Sequence, residues 1–211
     1  MTTQLSLYND ALIHIGERPL VALTDNTEPR RVLDQVWNNG ARKFCLEQGH
    51  WKFAHRSVKL DYSLIITPTN GYSRAFTKPA DFVRLSKMCA DEFLESPLVD
   101  YNDEAGVWYA NLDNIYVQYV SNDSAYGYDL ALWPETFTLY VGLYLAWRSG
   151  TRISATVDRG LLRADLTEAK LNALSKDAVS GPTQFLPTGG WTQARLGGGG
   201  QGRKNRSSLY G

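Results

Sequence analysis

Apolar positions at the start of the chain recur every three or four residues. Leu5, Tyr8, Leu12 and Ile15 share one face, which predicts a helix over about 3–15. Gly16 follows as a stop signal, and Pro19 prevents the helix from resuming. Thr24-Asp25-Asn26-Thr27 offers several N-caps and Pro29 suits a first turn. A second helix is therefore predicted over about 28–48, with Leu33, Val36, Trp37, Gly40, Ala41, Phe44 and Cys45 on its apolar side. The period then shortens. Residues 51–58 partly alternate, and further strand-like runs cover 73–76, 82–89, 107–112 and 115–120. In the last run Ile115, Val117 and Tyr119 share a face, after a plausible Asp113-Asn114 turn. Residues 51–122 thus read as a small antiparallel sheet. Helical spacing returns over about 134–148. It continues over about 153–177, with Ile153, Val157, Leu161, Ala164, Leu171 and Leu174 on one stripe.

This order predicts an α+β fold over residues 1–180. It is mainly a helical bundle of about four helices, interrupted by the small antiparallel β insertion and followed by an extended tail over 181–211. The 134–148 segment stands apart, because Phe137, Leu139, Tyr140, Val141, Leu143, Tyr144, Leu145 and Trp147 occupy nearly every face. Such a helix must be covered all round, by its own domain or by a neighbouring subunit. Oligomerisation is the easier solution for a chain of this size. Phe137, Tyr140, Tyr144 and Trp147 therefore become candidates for a subunit interface.

Composition adds limits. The 211 residues are 43% hydrophobic and 21% charged, which excludes wholesale disorder. No run of 18 apolar residues occurs, so no membrane span is expected. Cys45 and Cys89 cannot form a disulfide framework. With no secretory leader in view, they suit folding in a reducing cytosol.

The 22 basic and 22 acidic residues balance overall but not locally. Residues 181–211 hold Arg195, Arg203, Lys204 and Arg206 and no acid, leaving residues 1–180 with a net charge of −4. The same end holds 9 of the 18 glycines and has no helical or strand period, so in isolation it has little to bury. It also carries Phe185, Leu186, Pro187, Trp191, Leu196 and Tyr210. A frayed terminus needs none of these; a tail that orders in pockets on another protein does.

Catalytic patterns are scarce. The chain has no GxSxG, no Walker loop, no HExxH and no paired CxxC. Cys45, His50 and His55 match no usual zinc spacing, and a core cysteine with two surface or strand histidines fits them better. The acidic run Asp91-Glu92…Glu95…Asp100…Asp103-Glu104 could supply a carboxylate pair for glycoside hydrolysis. As a calcium loop it lacks the required Gly and Glu, which are Ala105 and Asn111. Solvated loop acids account for it more simply. No catalytic residue, metal ligand or cofactor is assigned. Arg203, Lys204 and Arg206 could touch DNA phosphates, though only in a salt-sensitive, sequence-independent way.

Several segments together resemble the tail tubular protein A family, the head-to-tail adaptors of short-tailed bacteriophages. The opening run from Leu7 to Leu20 (LYNDALIHIGERPL) looks like the family's start. The helix with Arg30 and Arg31, ending in Gly49-His50-Trp51-Lys52-Phe53, is similar to the family's second helix and its Trp-x-Phe strand. Lys78-Pro79-Ala80-Asp81-Phe82-Val83-Arg84-Leu85 resembles its Pro-x-Asp entry to a strand. Val117-Gln118-Tyr119 and Trp133-Pro134-Glu135-Thr136-Phe137 resemble its strand and aromatic helix, and Trp191-Thr192-Gln193-Ala194-Arg195 its C-terminal element.

The resemblance implies a non-enzymatic virion protein of the phage neck, made in the bacterial cytoplasm. It implies a dodecameric ring between the portal and the tail nozzle, or the next tail component, with double-stranded DNA passing through the channel. It also implies that the C-terminal extension climbs onto the portal. Phe185, Leu186, Pro187, Trp191, Arg195, Leu196 and Tyr210 are then the portal-binding candidates, with Trp191 as apolar anchor and Arg195 as a charge-assisted donor. Three rivals remain: a virion-associated glycan or peptidoglycan hydrolase using the 91–104 carboxylates, a DNA-binding module using the basic tail, and an adaptor of another tail type.

Overall fold

The computed structural model describes residues 2–180. Helix α1 (Gln4–Ile15) opens on a capping box, in which the Ser6 N–H donates to Thr3 Oγ1 (3.1 Å) and the Thr3 N–H to Ser6 Oγ (2.9 Å). Gly16 ends it in the left-handed region, at φ +79°. The chain then returns to α1. Asn9 Nδ2 donates to the Leu20 carbonyl (3.1 Å) and the Leu20 N–H donates to Asn9 Oδ1 (2.7 Å), so one amide fixes the whole 16–20 turn.

The continuous helix expected over 28–48 is broken. Helix α2 (Glu28–Val36) passes through a wide turn at Trp37–Ala41 into α3 (Arg42–Glu47). Asn39 and Gly40 leave helical geometry there, Gly40 at φ +90°, a conformation that glycine adopts without a Cβ penalty. The kink changes which side chains face inward. Val32, Leu33, Trp37, Ala41, Cys45 and Leu46 are buried, while Phe44 is 42% exposed.

Trp51 does not begin a strand. Its indole Nε1 donates to the Cys45 carbonyl (3.1 Å) from within the core, and a short 3-10 turn, Lys52–Ala54, precedes strand β1 (His55–Asp61). Strands β2 (Arg74–Thr77), β3 (Phe82–Cys89), β4 (Asn102–Glu104), β5 (Val107–Ala110) and β6 (Asn114–Ser121) follow. The expected single sheet is two antiparallel three-stranded sheets, ordered β1-β6-β3 and β2-β5-β4. Alternation along β6 explains the pairing. Ile115, Val117 and Tyr119 point one way, into a core shared with Met88 and with Phe76, Trp108 and Ala110 of the other sheet. Val120 points into the helical core instead.

Asp81 ties the first sheet together. It accepts from Arg56 Nη1 (2.9 Å), from the Tyr119 hydroxyl and from Ser121 Oγ, one partner on β1 and two on β6. Burial alone would raise this carboxyl. The bonds from Ser121, Arg56 and Tyr119 outweigh it and hold the group below the usual carboxylate range.

Helix α4 (Glu135–Ile153) runs beyond the expected end and packs against α1, α2 and helix α5 (Arg159–Val179). Its own chain covers most of it, burying Phe137, Tyr140, Val141, Leu143, Tyr144 and Leu145, while Leu139 stays 42% exposed and Trp147 half-buried. Close approach is possible at Gly142, where an added Cβ would lie 2.2 Å from Asp10 Oδ2, and at Gly150, 3.2 Å from Val157. Helix α5 starts at an Asp158 cap rather than near Ile153. Its buried stripe is Leu162, Ala169 and Ala173, with Leu166 half-buried beside them. Of the residues expected inside, Ile153, Val157 and Leu174 pack against the core, whereas Leu161, Ala164 and Leu171 are exposed. Lys52 holds its far end, donating from Nζ to the carbonyls of Asp177 (2.7 Å) and Ala178 (3.0 Å).

Candidate functional site

The groups with chemical potential are mostly occupied in holding the fold. Cys45 is fully buried, which pushes its thiol well above the ordinary range and makes it a poor nucleophile. His50 is exposed and His55 is half-buried on β1; burial, as the leading cause, lowers both imidazoles. Among the described residues no group of three or more His, Cys, Asp or Glu side chains is placed to hold a metal ion.

The acids of 91–104 have structural partners. Asp91 accepts from the N–H groups of Glu95 (3.1 Å) and Ser96 (2.6 Å), and these bonds hold it below the usual range. Asp100 accepts from the Tyr72 hydroxyl (2.9 Å). Asp103 pairs with Lys78 Nζ (2.6 Å) and accepts from the Trp108 indole (3.0 Å). Asn102–Glu104 is a β-strand, turned back through Ala105 and Gly106 at φ +45° and +85°.

A different carboxylate pair meets in a polar cavity of about 440 Å³, where Asp10 of α1 and Glu135 of α4 share the lining with Ser6 and Thr138. Burial raises the Asp10 carboxyl above its ordinary range, with His14 opposing and Glu135 adding to the shift. These residues are far apart in sequence on separate helices, so no local spacing announces the pair.

The outer face of the helices holds the most distinctive surface. A groove of about 370 Å³ runs between α3, α4 and α5, with Tyr140 at its floor. Phe44 stacks on Tyr144, with ring centroids 4.8 Å apart at 19°. Trp147 lies within reach of two guanidinium groups, Arg159 (5.4 Å) and Arg148 (6.0 Å). Arg163, Thr167 and Lys170 form the α5 wall, and Lys170 Nζ donates to Gln48 (2.9 Å). Among the described residues no carboxylate lies within 4 Å of Arg148, Arg159, Arg163 or Lys170. The groove is therefore aromatic and unneutralised.

This placement corrects part of the interface expectation. Phe137 is packed against Trp51, Phe53 and Trp133, with 1% of its surface exposed, and Tyr140 is 2% exposed. Both belong to the chain's own core, where this side of α4 is covered by Trp51, Phe53 and Trp133. Tyr144 and the half-buried Trp147 do reach the groove. Phe44, Arg163 and Lys170 join them, which helical periodicity alone did not indicate. Phe185, Leu186, Pro187, Trp191, Arg195, Leu196, Arg203, Lys204, Arg206 and Tyr210 lie outside the described residues.

No protein-family model matches the chain, and no curated protein matches it.

Proposed function

We propose that this chain is a structural virion protein, a head-to-tail adaptor. Copies form a closed ring, dodecameric by the resemblance, between the portal and the tail nozzle, and DNA passes through the ring without sequence-specific contacts. In this reading residues 1–180 are the ring-forming body, built on a helical bundle, and residues 181–211 are an extended C-terminal tail that seats on the portal.

The observation that carries the reading is unpartnered apolar surface on the helices of an otherwise well-filled body. Phe44, Leu161, Leu171 and Ile13 are each at least 42% exposed, and the first borders a groove lined by further aromatics. Phe44 and the groove's other aromatics make the contiguous part of that surface, and an apolar patch of this kind suits an assembly partner. The acidic balance of residues 1–180 suits a channel that must not retain DNA. Repeating one heterologous contact around a ring lets modest pairwise energies close a stable assembly.

The test is portal docking by the full chain. Trp191→Ala combined with Arg195→Ala abolishes co-migration with the portal protein of the same phage, while the circular dichroism and melting of the chain stay unchanged. Undiminished docking would remove the tail anchor.

A hydrolase reading finds its best support at Asp10 and Glu135, where a raised carboxyl faces a polar cavity. It requires turnover of a glycan that disappears in Asp10→Asn.

A further inference from the structure

The segment after β3 presents an aromatic ring outward from a tightly tied loop. The Ala90 N–H donates to the Ser96 carbonyl (3.1 Å), Cys89 pairs with Pro97 across the base, and Asp91 caps the turn from inside. Leu94 sits at φ +58°, a conformation that residues with a Cβ avoid. It lies with Val58 and Tyr116 along a shallow pocket over β1 and β6. Phe93 is left 75% exposed, with Glu92 and Glu95 exposed beside it. The loop thus displays one large ring between two carboxylates.

The groove on the helices is the complement: aromatic walls and cations without carboxylate partners among the described residues. The sequence separates the two charges on a larger scale as well. No Lys or Arg occurs between Lys87 and Arg148, a stretch that holds ten acids. Register places the two features at opposite ends of the sheet. Arg84, early in β3, donates to the Glu47 carbonyl of α3, whereas the loop leaves from Cys89 at the strand's far end. Knob and groove thus belong to opposite ends of that sheet, so mating them joins two copies head to tail and leaves a free knob and a free groove at the ends. Such a contact closes into a ring where the rotation between copies allows it and otherwise runs on as an open filament.

We infer that the 90–97 loop of one copy docks in the α3–α4–α5 groove of the next, Phe93 entering beside Phe44 and Trp147, with Glu92 and Glu95 meeting Arg163 and Lys170. This deepens the ring reading and rests on it. The contact is a heterologous one with charge complementarity at its rim, which sets register and orientation.

The test uses full-length chains in the presence of the portal protein. Chains carrying Glu95→Cys, which keep Phe93, are mixed with chains carrying Thr167→Cys and oxidised; Cys45 and Cys89, 0% and 1% exposed, stay out of the reaction. The expected product is a disulfide-linked pair, formed at least about tenfold faster than with Leu171→Cys, which is 60% exposed but lies outside the groove. In sedimentation, Arg163→Glu with Lys170→Glu weakens self-association at least about tenfold, and adding Glu92→Lys with Glu95→Lys restores it. Rings that assemble with neither the preferred cross-link nor the charge-swap rescue overturn this contact and leave the ring intact. Chains that form no ring overturn both.

Discussion

The Tyr119 hydroxyl donates to both oxygens of Asp81, at 3.0 and 3.1 Å, joining the middle strand of the first sheet to the Pro-x-Asp segment that enters β3. With Arg56 and Ser121 on the same carboxylate, the charge is spread over three donors. Asp81→Asn removes the charge that all three donors meet, and the expected loss is about 2–3 kcal/mol. The pH dependence follows from the direction of the shift. The folded-state carboxyl lies below its ordinary value of about 3.9, so its contribution is complete above that pH and is lost as pH falls through the folded value. Melting curves between about pH 2 and pH 6 should steepen in acid for the native chain more than for Asp81→Asn.

Asn9 and Leu20 make the reciprocal clamp that closes the turn after α1. Asn9→Ala leaves the Leu20 N–H and C=O unpaired in a half-buried place. A loss of about 1–2 kcal/mol, and a melting midpoint lower by about 3–6 °C, is expected in calorimetry.

Two glycines separate conformational from steric need. An added Cβ at Gly127 would meet the Ser121 carbonyl oxygen at 2.2 Å and Leu46 at 2.9 Å, so backbone must move. Gly40 has open space around it but φ +90°. Gly127→Ala should cost about 3 kcal/mol or prevent folding; Gly40→Ala should cost about 1 kcal/mol. Urea denaturation of the pair orders them.

Phe137 and Phe44 test the division between core and surface on the helices. Phe137→Ala is expected to cost about 3–5 kcal/mol, because the ring is enclosed by Trp51, Phe53 and Trp133. Phe44→Ala, which gives up a stack with Tyr144 on an open groove, should cost about 1 kcal/mol. Its larger effect should appear in self-association, read by sedimentation.

Much of the fold was legible where a local signal dominated. Gly16 and Pro19 end α1, β3 follows its apolar run from Phe82 to Cys89, and Ile115, Val117 and Tyr119 do face one core. Reading failed where tertiary context decides. Gly40 looks harmless on an apolar face, yet it is the kink that turns Phe44 outward. β4 is three polar residues held by pairing with β5, so propensity gives no hint of it. Of the last expected stripe, Ile153, Val157 and Leu174 do pack on the core, whereas Leu161, Ala164 and Leu171 are exposed; Leu occurs on several faces of α5, and only packing against α4 selects Leu162 over Leu161. The groove escaped notice for a related reason: its walls come from three helices, joined across more than a hundred residues.

The central claim is that this chain completes itself only in an assembly. Electron microscopy of the purified full chain, with and without the portal protein that the proposed function calls for, tests that claim most directly. The expected result is a closed ring of identical copies seated on the portal, with residues 181–211 traced onto the portal surface. A solitary monomer at every concentration, with no density on the portal, would contradict it.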